Sequence, residues 1–451
     1  MNEIRPSGKG ITKSRIFLII GIVLVLIAIL YGVSIIASNS RWAGTGDPEG
    51  IEQAEATELL AGTGLPDRKG LSDRTELPEE TEFAEAMKLP EGDDIATTDD
   101  SKDPKITQII SSMSTEEKVA QLFIITPEAL TGVENVTQAG ERTKEALRER
   151  PVGGLIYFRN NLKTPEQVKE LTGNTKLYGE EVLKLPLILS IDEEGGKVTR
   201  LGGRDEFDVE SFPNMAQVGA EGDPQRAYEV GTAIGGYLAE YGFTMDFAPN
   251  ADVLTNPDNK VIGDRSFGTE PELVWSMSGM VSKGLREQGI QPVYKHFPGH
   301  GATKGDTHEG FAYTDKTLED LLKAELVPFI KAIQSGEDCI MAAHIAAPNV
   351  TGDENPASLS YTLITEVLRE KLGYQGVVIT DALNMGAISN LYSSDQAAIM
   401  AINAGVDILL MPDDFEIAYE AVLKAVNEGT ITQERLDQSI MRISEMKLKW
   451  R

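Results

Sequence analysis

Eight short apolar runs, separated by longer stretches with apolar positions at helical spacing, constrain this chain more than any other feature. The runs are Gln121–Ile125, Gly154–Phe158, Leu187–Asp192, Thr244–Asn250, Pro292–Phe297, Cys339–Ile345, Gly376–Leu383 and Asp407–Pro412. Runs this short and this apolar suit parallel strands covered on both faces, while segments such as Thr164–Leu183 and Thr317–Gly336 have the period of amphipathic helices. Eight such strand–helix units predict an α/β fold, a (β/α)8 TIM barrel, over residues 105–451. The competing doubly wound open sheet would hold a nucleotide at its switch point, and no GxGxxG or Walker loop follows any run. In a barrel the C-terminal strand ends converge on one face, so Asp192, Asp246, His296, His344 and Asp381, each at or near the end of its run, are expected together there.

The region before residue 105 has a different composition. Ile16–Ala37 contains no charged residue and, at about 1.5 Å rise per residue, is long enough as a helix to span a bilayer core of about 30 Å. Arg5, Lys9, Lys13 and Arg15 precede it and only Arg41 follows closely, which predicts a cytoplasmic N-terminus (1–15), a transmembrane anchor (16–37) and everything beyond it outside the cytoplasm. A cleaved signal peptide ordinarily has a shorter apolar region. Residues 38–104, rich in Gly, Pro, Thr and acidic side chains, cannot bury enough apolar surface to offset chain entropy and are expected to be a flexible acidic linker.

The net charge of −29 repels phosphate backbones, which disfavours nucleic acid as a partner. Cys339 is the only cysteine, so neither an intrachain disulfide nor a thiolate metal cluster can form.

Three of the four histidines, His296, His300 and His308, fall in the segment KHFPGHGATKGDTHEG. Its prolines and glycines mark a turning loop, and it lacks the HExxH spacing of a helical zinc site, so no metal is expected. Lys295 and His296 end a strand, while Asp306 and His308 form a carboxylate–imidazole pair. The carboxylate can hold the ring's tautomer and raise its basicity, which makes a proton-transfer unit. His300 is expected to brace the loop, and His344 to be a core or rim residue.

The segments KHFPGHG followed by DTH, with IDEEGGKVTRL, IGDRSFG and VVITDALNMGAI, occur in an order and spacing that resemble the family 3 glycoside hydrolases, in particular their β-N-acetylhexosaminidase branch, from about Ser112 to the C-terminus. The resemblance implies a TIM barrel, without cofactor or metal, that releases terminal non-reducing β-linked N-acetylglucosamine with retention, through a covalent glycosyl-enzyme. It implies Asp381 as nucleophile, His308 as acid/base and Asp306 as its dyad partner. Asp192, Arg200, Arg265, Lys295 and His296 match positions that grip the sugar. The expected natural substrate is a cell-wall fragment such as a GlcNAc-MurNAc muropeptide, met outside the membrane. The segments depart from common forms of the pattern in DEEGG, TDAL and DTH, which keeps the reacting groups. Only about 40 residues follow the eighth run, so no second domain supplying an acid glutamate is expected, which favours the loop dyad. The competing expectations are a phosphorylase, in which phosphate replaces water, and an inactive sugar- or wall-binding barrel.

Overall fold

The computed structural model describes residues 103–308 and 310–449. The predicted anchor and the predicted linker up to residue 102 lie outside the described residues. Among the described residues no helix is long and apolar enough to cross a membrane.

Each of the eight apolar runs contains strand. The strands are β1 (Phe123–Ile125), β2 (Gly154–Ile156), β3 (Ile188–Ile191), β4 (Met245–Asp246), β5 (Gln291–Pro292), β6 (Tyr294–Phe297), β7 (Ala312–Tyr313), β8 (Cys339–Ala342), β9 (Ile345–Ala346), β10 (Val377–Thr380) and β11 (Leu409–Leu410). A parallel six-stranded sheet in the order β11-β1-β2-β3-β4-β5 forms a half-barrel, and β10-β8-β6 form a second parallel sheet. Single parallel bridges pair Asn250 with Lys295 and Ile379 with Ile408. The strands are almost wholly buried, as the unbroken apolar runs require. The short pair β7 and β9 was not expected. Its segments are too short to register as periodic, and it serves the loop that follows β6.

Local signals set the helix starts. Asp103 caps the helix Pro104–Ser112, Ser114 and Glu117 form a reciprocal capping box on Thr115–Gln121, and Thr164 caps Pro165–Val182. The helices Pro224–Glu240 and Pro271–Glu287 approach closely because glycines face each other's backbone. A Cβ on Gly231 would lie 2.2 Å from the Val281 carbonyl oxygen, and one on Gly284 would lie 2.5 Å from the Thr232 nitrogen. At the start of the last run, buried Asp407 ties three elements together through Arg369 at 2.6 Å, Arg442 at 3.1 Å and Arg435 at 3.6 Å. These contacts lie at the opposite end of the strands from the residues described next.

Candidate active site

Beyond the C-terminal strand ends lies a cavity of about 500 Å³. Asp192, Arg200, Arg265, Lys295, His296, His308 and Asp381 all line it, seven side chains drawn from four widely separated parts of the chain. Its apolar lining includes Ile156, Phe158, Met341, Leu410 and Met411, of which Ile156 and Leu410 end their strands and Met411 directly follows one. The Arg200 guanidinium lies 5.4 Å from the centre of the Phe158 ring.

The three consecutive acids after β3 point to different tasks. In extended chain, residues two apart share a side. Asp192 and Glu194 accordingly both reach Lys295, whose Nζ donates to Asp192 at 3.2 Å and lies 2.7 Å from Glu194. Asp192 also accepts from Arg200 at 2.8 Å. Glu194 accepts from Arg265 through Nη2 at 2.7 Å and Nε at 3.0 Å. Burial disfavours its charge, but the cations of Arg265 and Lys295 outweigh that and hold its carboxyl well below the usual range. Between them Glu193 turns away and accepts the backbone N–H groups of Arg200, Leu201 and Gly202, which fixes the loop that presents Arg200.

His296 ends β6. Its Nδ1 pairs with buried Asp252 at 2.7 Å, leaving Nε2 on the side of Arg265, 3.5 Å from Nη2. Asp381 follows β10 and is half-buried, with its Oδ1 accepting the Ala382 N–H at 2.8 Å. Burial works against its charge, yet the His296 imidazole, the Ala382 amide and Lys295 prevail, and its carboxyl lies below the ordinary aspartate range. It therefore faces the cavity as a carboxylate at neutral pH. His308 sits on the loop after β6 with 63% of its side chain exposed, and Asp306 holds its Nδ1 at 2.9 Å. Asp306 is not itself in the cavity lining; it reaches the cavity only through His308.

Two residues expected at this face lie behind it. Asp246 is fully buried and accepts the Glu193 N–H at 2.9 Å, and burial pushes its carboxyl well above the usual range. His344 is buried, with Nδ1 2.8 Å from the Ser358 hydroxyl and Nε2 donating to the Ala382 carbonyl at 2.9 Å, so it supports the segment after Asp381. His300 braces the loop as expected. Glu194 and Asp252 were not expected. The alternation in DEEGG is a signal for Glu194, whereas Asp252 has none, because its partner is 44 residues away.

The family model for the glycosyl hydrolase family 3 N-terminal domain matches residues 114–446. The chain belongs to glycosyl hydrolase family 3. Its relatives in that family include β-hexosaminidase A of Pseudoalteromonas piscicida, 36% identical over 68% of this chain, of whose length the chain spans only 54%. A β-hexosaminidase of Nitrosomonas eutropha is 32% identical over 69% of this chain and 89% of its own length. Among solved structures, a family 3 β-N-acetylglucosaminidase from Paenibacillus sp. str. FPU-7 superposes with a TM-score of 0.70 at 39% identity, covering 75% of this chain and 63% of that one. LpqI of Mycobacterium tuberculosis gives 0.66 at 30% identity, covering 76% and 96%.

Proposed function

We propose that this family 3 protein is a retaining exo-β-N-acetylglucosaminidase. The observation that carries the reading is one cavity lined by both an ionised Asp381 and the Asp306-held imidazole of His308, with the cations of Arg200, Arg265 and Lys295 set around them by Asp192 and Glu194. The Asp381 carboxylate attacks C1 of the sugar while the bond from C1 to the leaving oxygen breaks. Protonated His308 gives that oxygen its proton, and the developing neutral ring remains oriented by Asp306. Water then attacks C1 of the glycosyl-aspartate, His308 takes the proton from the water, and the carboxylate of Asp381 leaves. Asp192, Arg200, Arg265, Lys295 and His296 hold the sugar's hydroxyl and acetamido groups. Because they are cross-linked by ion pairs, they need little reorganisation when the substrate enters.

The scaffold this reading uses is a closed (β/α)8 barrel, which the Asn250–Lys295 and Ile379–Ile408 bridges between the two sheets support. The substrates are fragments of the cell wall with a terminal β-linked N-acetylglucosamine, and the Ile16–Ala37 run anchors the domain outside the cytoplasmic membrane. Protease added to intact cells is expected to remove the globular domain; complete protection would reverse the topology.

The chemical test is turnover of aryl β-N-acetylglucosaminides by a His308→Ala variant. A proton donor matters most when the leaving group is a strong base. The variant is expected to lose roughly 10²- to 10⁴-fold in kcat/KM on poor leaving groups and far less on 4-nitrophenolate or better. An equal loss across the series would remove His308 from that role. In phosphate buffer the product is expected to be the free sugar, and formation of the 1-phosphate would establish the phosphorylase instead.

A further inference from the structure

On the loop after β6 Asp306 is half-buried and His308 exposed, yet the residue between them is buried. Thr307 is 1% exposed and, like His300, lies in the wall of the same cavity as His308 and Asp381. Its hydroxyl shares a hydrogen bond with His300 Nε2 at 3.2 Å, and its carbonyl accepts the Ala387 N–H at 3.0 Å. These two bonds join the loop to different elements. His300 follows β6 by three residues and is itself fixed: its N–H donates to Asp252 at 2.6 Å, its Nδ1 lies 3.0 Å from the Thr303 hydroxyl, and its carbonyl accepts from Asn259 at 2.7 Å. Ala387 belongs to the short helix Gly386–Ser389 that follows Asp381. Farther along the loop, Lys304 and Tyr313 exchange backbone bonds at 2.9 and 3.1 Å and close its base. Among the bonds described, those of Thr307 are the ones that tie the loop tip to both the His296 side and the Asp381 side of the cavity.

We propose that Thr307 is a positioning residue for the reaction: by bonding His300 with its side chain and Ala387 with its backbone, it sets where His308 stands relative to Asp381. The inference rests on the reading of His308 as the proton donor. Since reacting groups must be held to within fractions of an ångström, losing one side of the tether lowers the fraction of loop conformations in which donation is productive. The His300 ring is suited to a constant partner. Burial, with His296 next in effect, lowers its pKa to about 4, so the hydrogen-bonding role of its ring does not change across the neutral range.

The experiment compares Thr307→Val, which keeps the shape and removes the hydroxyl, with Thr307→Ser, which keeps the hydroxyl. Amide hydrogen exchange of Thr303–His308 reads the tether, and kcat and KM across aryl β-N-acetylglucosaminides read its consequence. In Thr307→Val, exchange is expected to speed up roughly three- to tenfold, the equivalent of one neutral hydrogen bond. Its kcat on poor leaving groups is expected to fall by about the same factor or more, with KM and good leaving groups little changed. Thr307→Ser is expected to restore both. Exchange as slow as in the wild type, a loss equal across leaving groups, or a serine variant as impaired as valine would each overturn the proposal. A wild type inactive on every β-N-acetylglucosaminide would sink the functional reading instead, and exchange would still decide whether Thr307 holds the loop.

Discussion

Asp381→Ala is expected to lower turnover of every β-N-acetylglucosaminide, good and poor leaving groups alike, by a factor on the order of 10⁴ to 10⁶, as removal of a nucleophile does elsewhere. In the proposed mechanism the loss is uniform because the carboxylate is needed to form the first bond, whatever departs. The same substitution should leave the fold intact. Asp381 is half-buried, and the hydrogen bond its side chain surrenders is that to the Ala382 N–H, which costs about 1 kcal/mol. Circular dichroism and thermal unfolding would therefore resemble the wild type while turnover vanishes. Deletion of the side chain also opens one face of the anomeric carbon. Added azide should then produce the α-linked glycosyl azide from a substrate with a good leaving group, a product of inverted configuration that the intact enzyme does not form. Turnover within tenfold of the wild type would reject the assignment.

Glu194→Gln is expected to have the largest effect on stability. Glu194 is buried, with a side chain 1% exposed, and neutralises Arg265 and Lys295, of which Lys295 is 3% exposed. Removing one partner of a buried ionic cluster leaves charge uncompensated and costs about 3–5 kcal/mol. Asp192 remains 3.2 Å from Lys295 and softens the loss, so the lower part of that range is expected. At roughly 1–2 °C per kcal/mol for a domain of this size, Tm should fall by about 5 °C. The pH dependence has a definite sign. Arg265 and Lys295 depress the folded-state pKa of Glu194 below its ordinary value of 4.5 despite burial, so the carboxylate contributes stability above that value and loses it as pH falls through the folded pKa. The gap in Tm between wild type and Glu194→Gln should therefore be widest at neutral pH and narrow below pH 4.5. KM should rise as well, because Arg265 and Lys295 lose the group that aims them. An unchanged Tm at pH 7 would mean the cluster contributes no net stability.

The scaffold was legible because its signal is periodic. Burial on both faces makes parallel strands continuous apolar runs, and each of the eight runs contains strand. Their ends were less legible. Ala382 and Met411 continue the apolar pattern past the last ladder bonds of β10 and β11 because they line the cavity rather than the sheet. The strand-end rule brought Asp192, His296 and Asp381 together, but it could not distinguish a carboxylate facing the cavity from Asp246, whose neighbours bury it. The Asp306–His308 pair was readable because its members are two residues apart. Partners distant in sequence were not: the pairing of Asp252 with His296 and the bond from Thr307 to Ala387 exist only once the chain has folded.

The central claim is a covalent bond between Asp381 and C1 of N-acetylglucosamine. The direct measurement is to incubate the protein with a fluorinated N-acetylglucosaminyl fluoride that reacts quickly and turns over slowly, digest it, and locate the added mass by sequencing peptides in a mass spectrometer. The account predicts one sugar per chain, on Asp381 within ITDALNM, and none in the Asp381→Ala variant. A label on any other residue, or inactivation with no label, would contradict it.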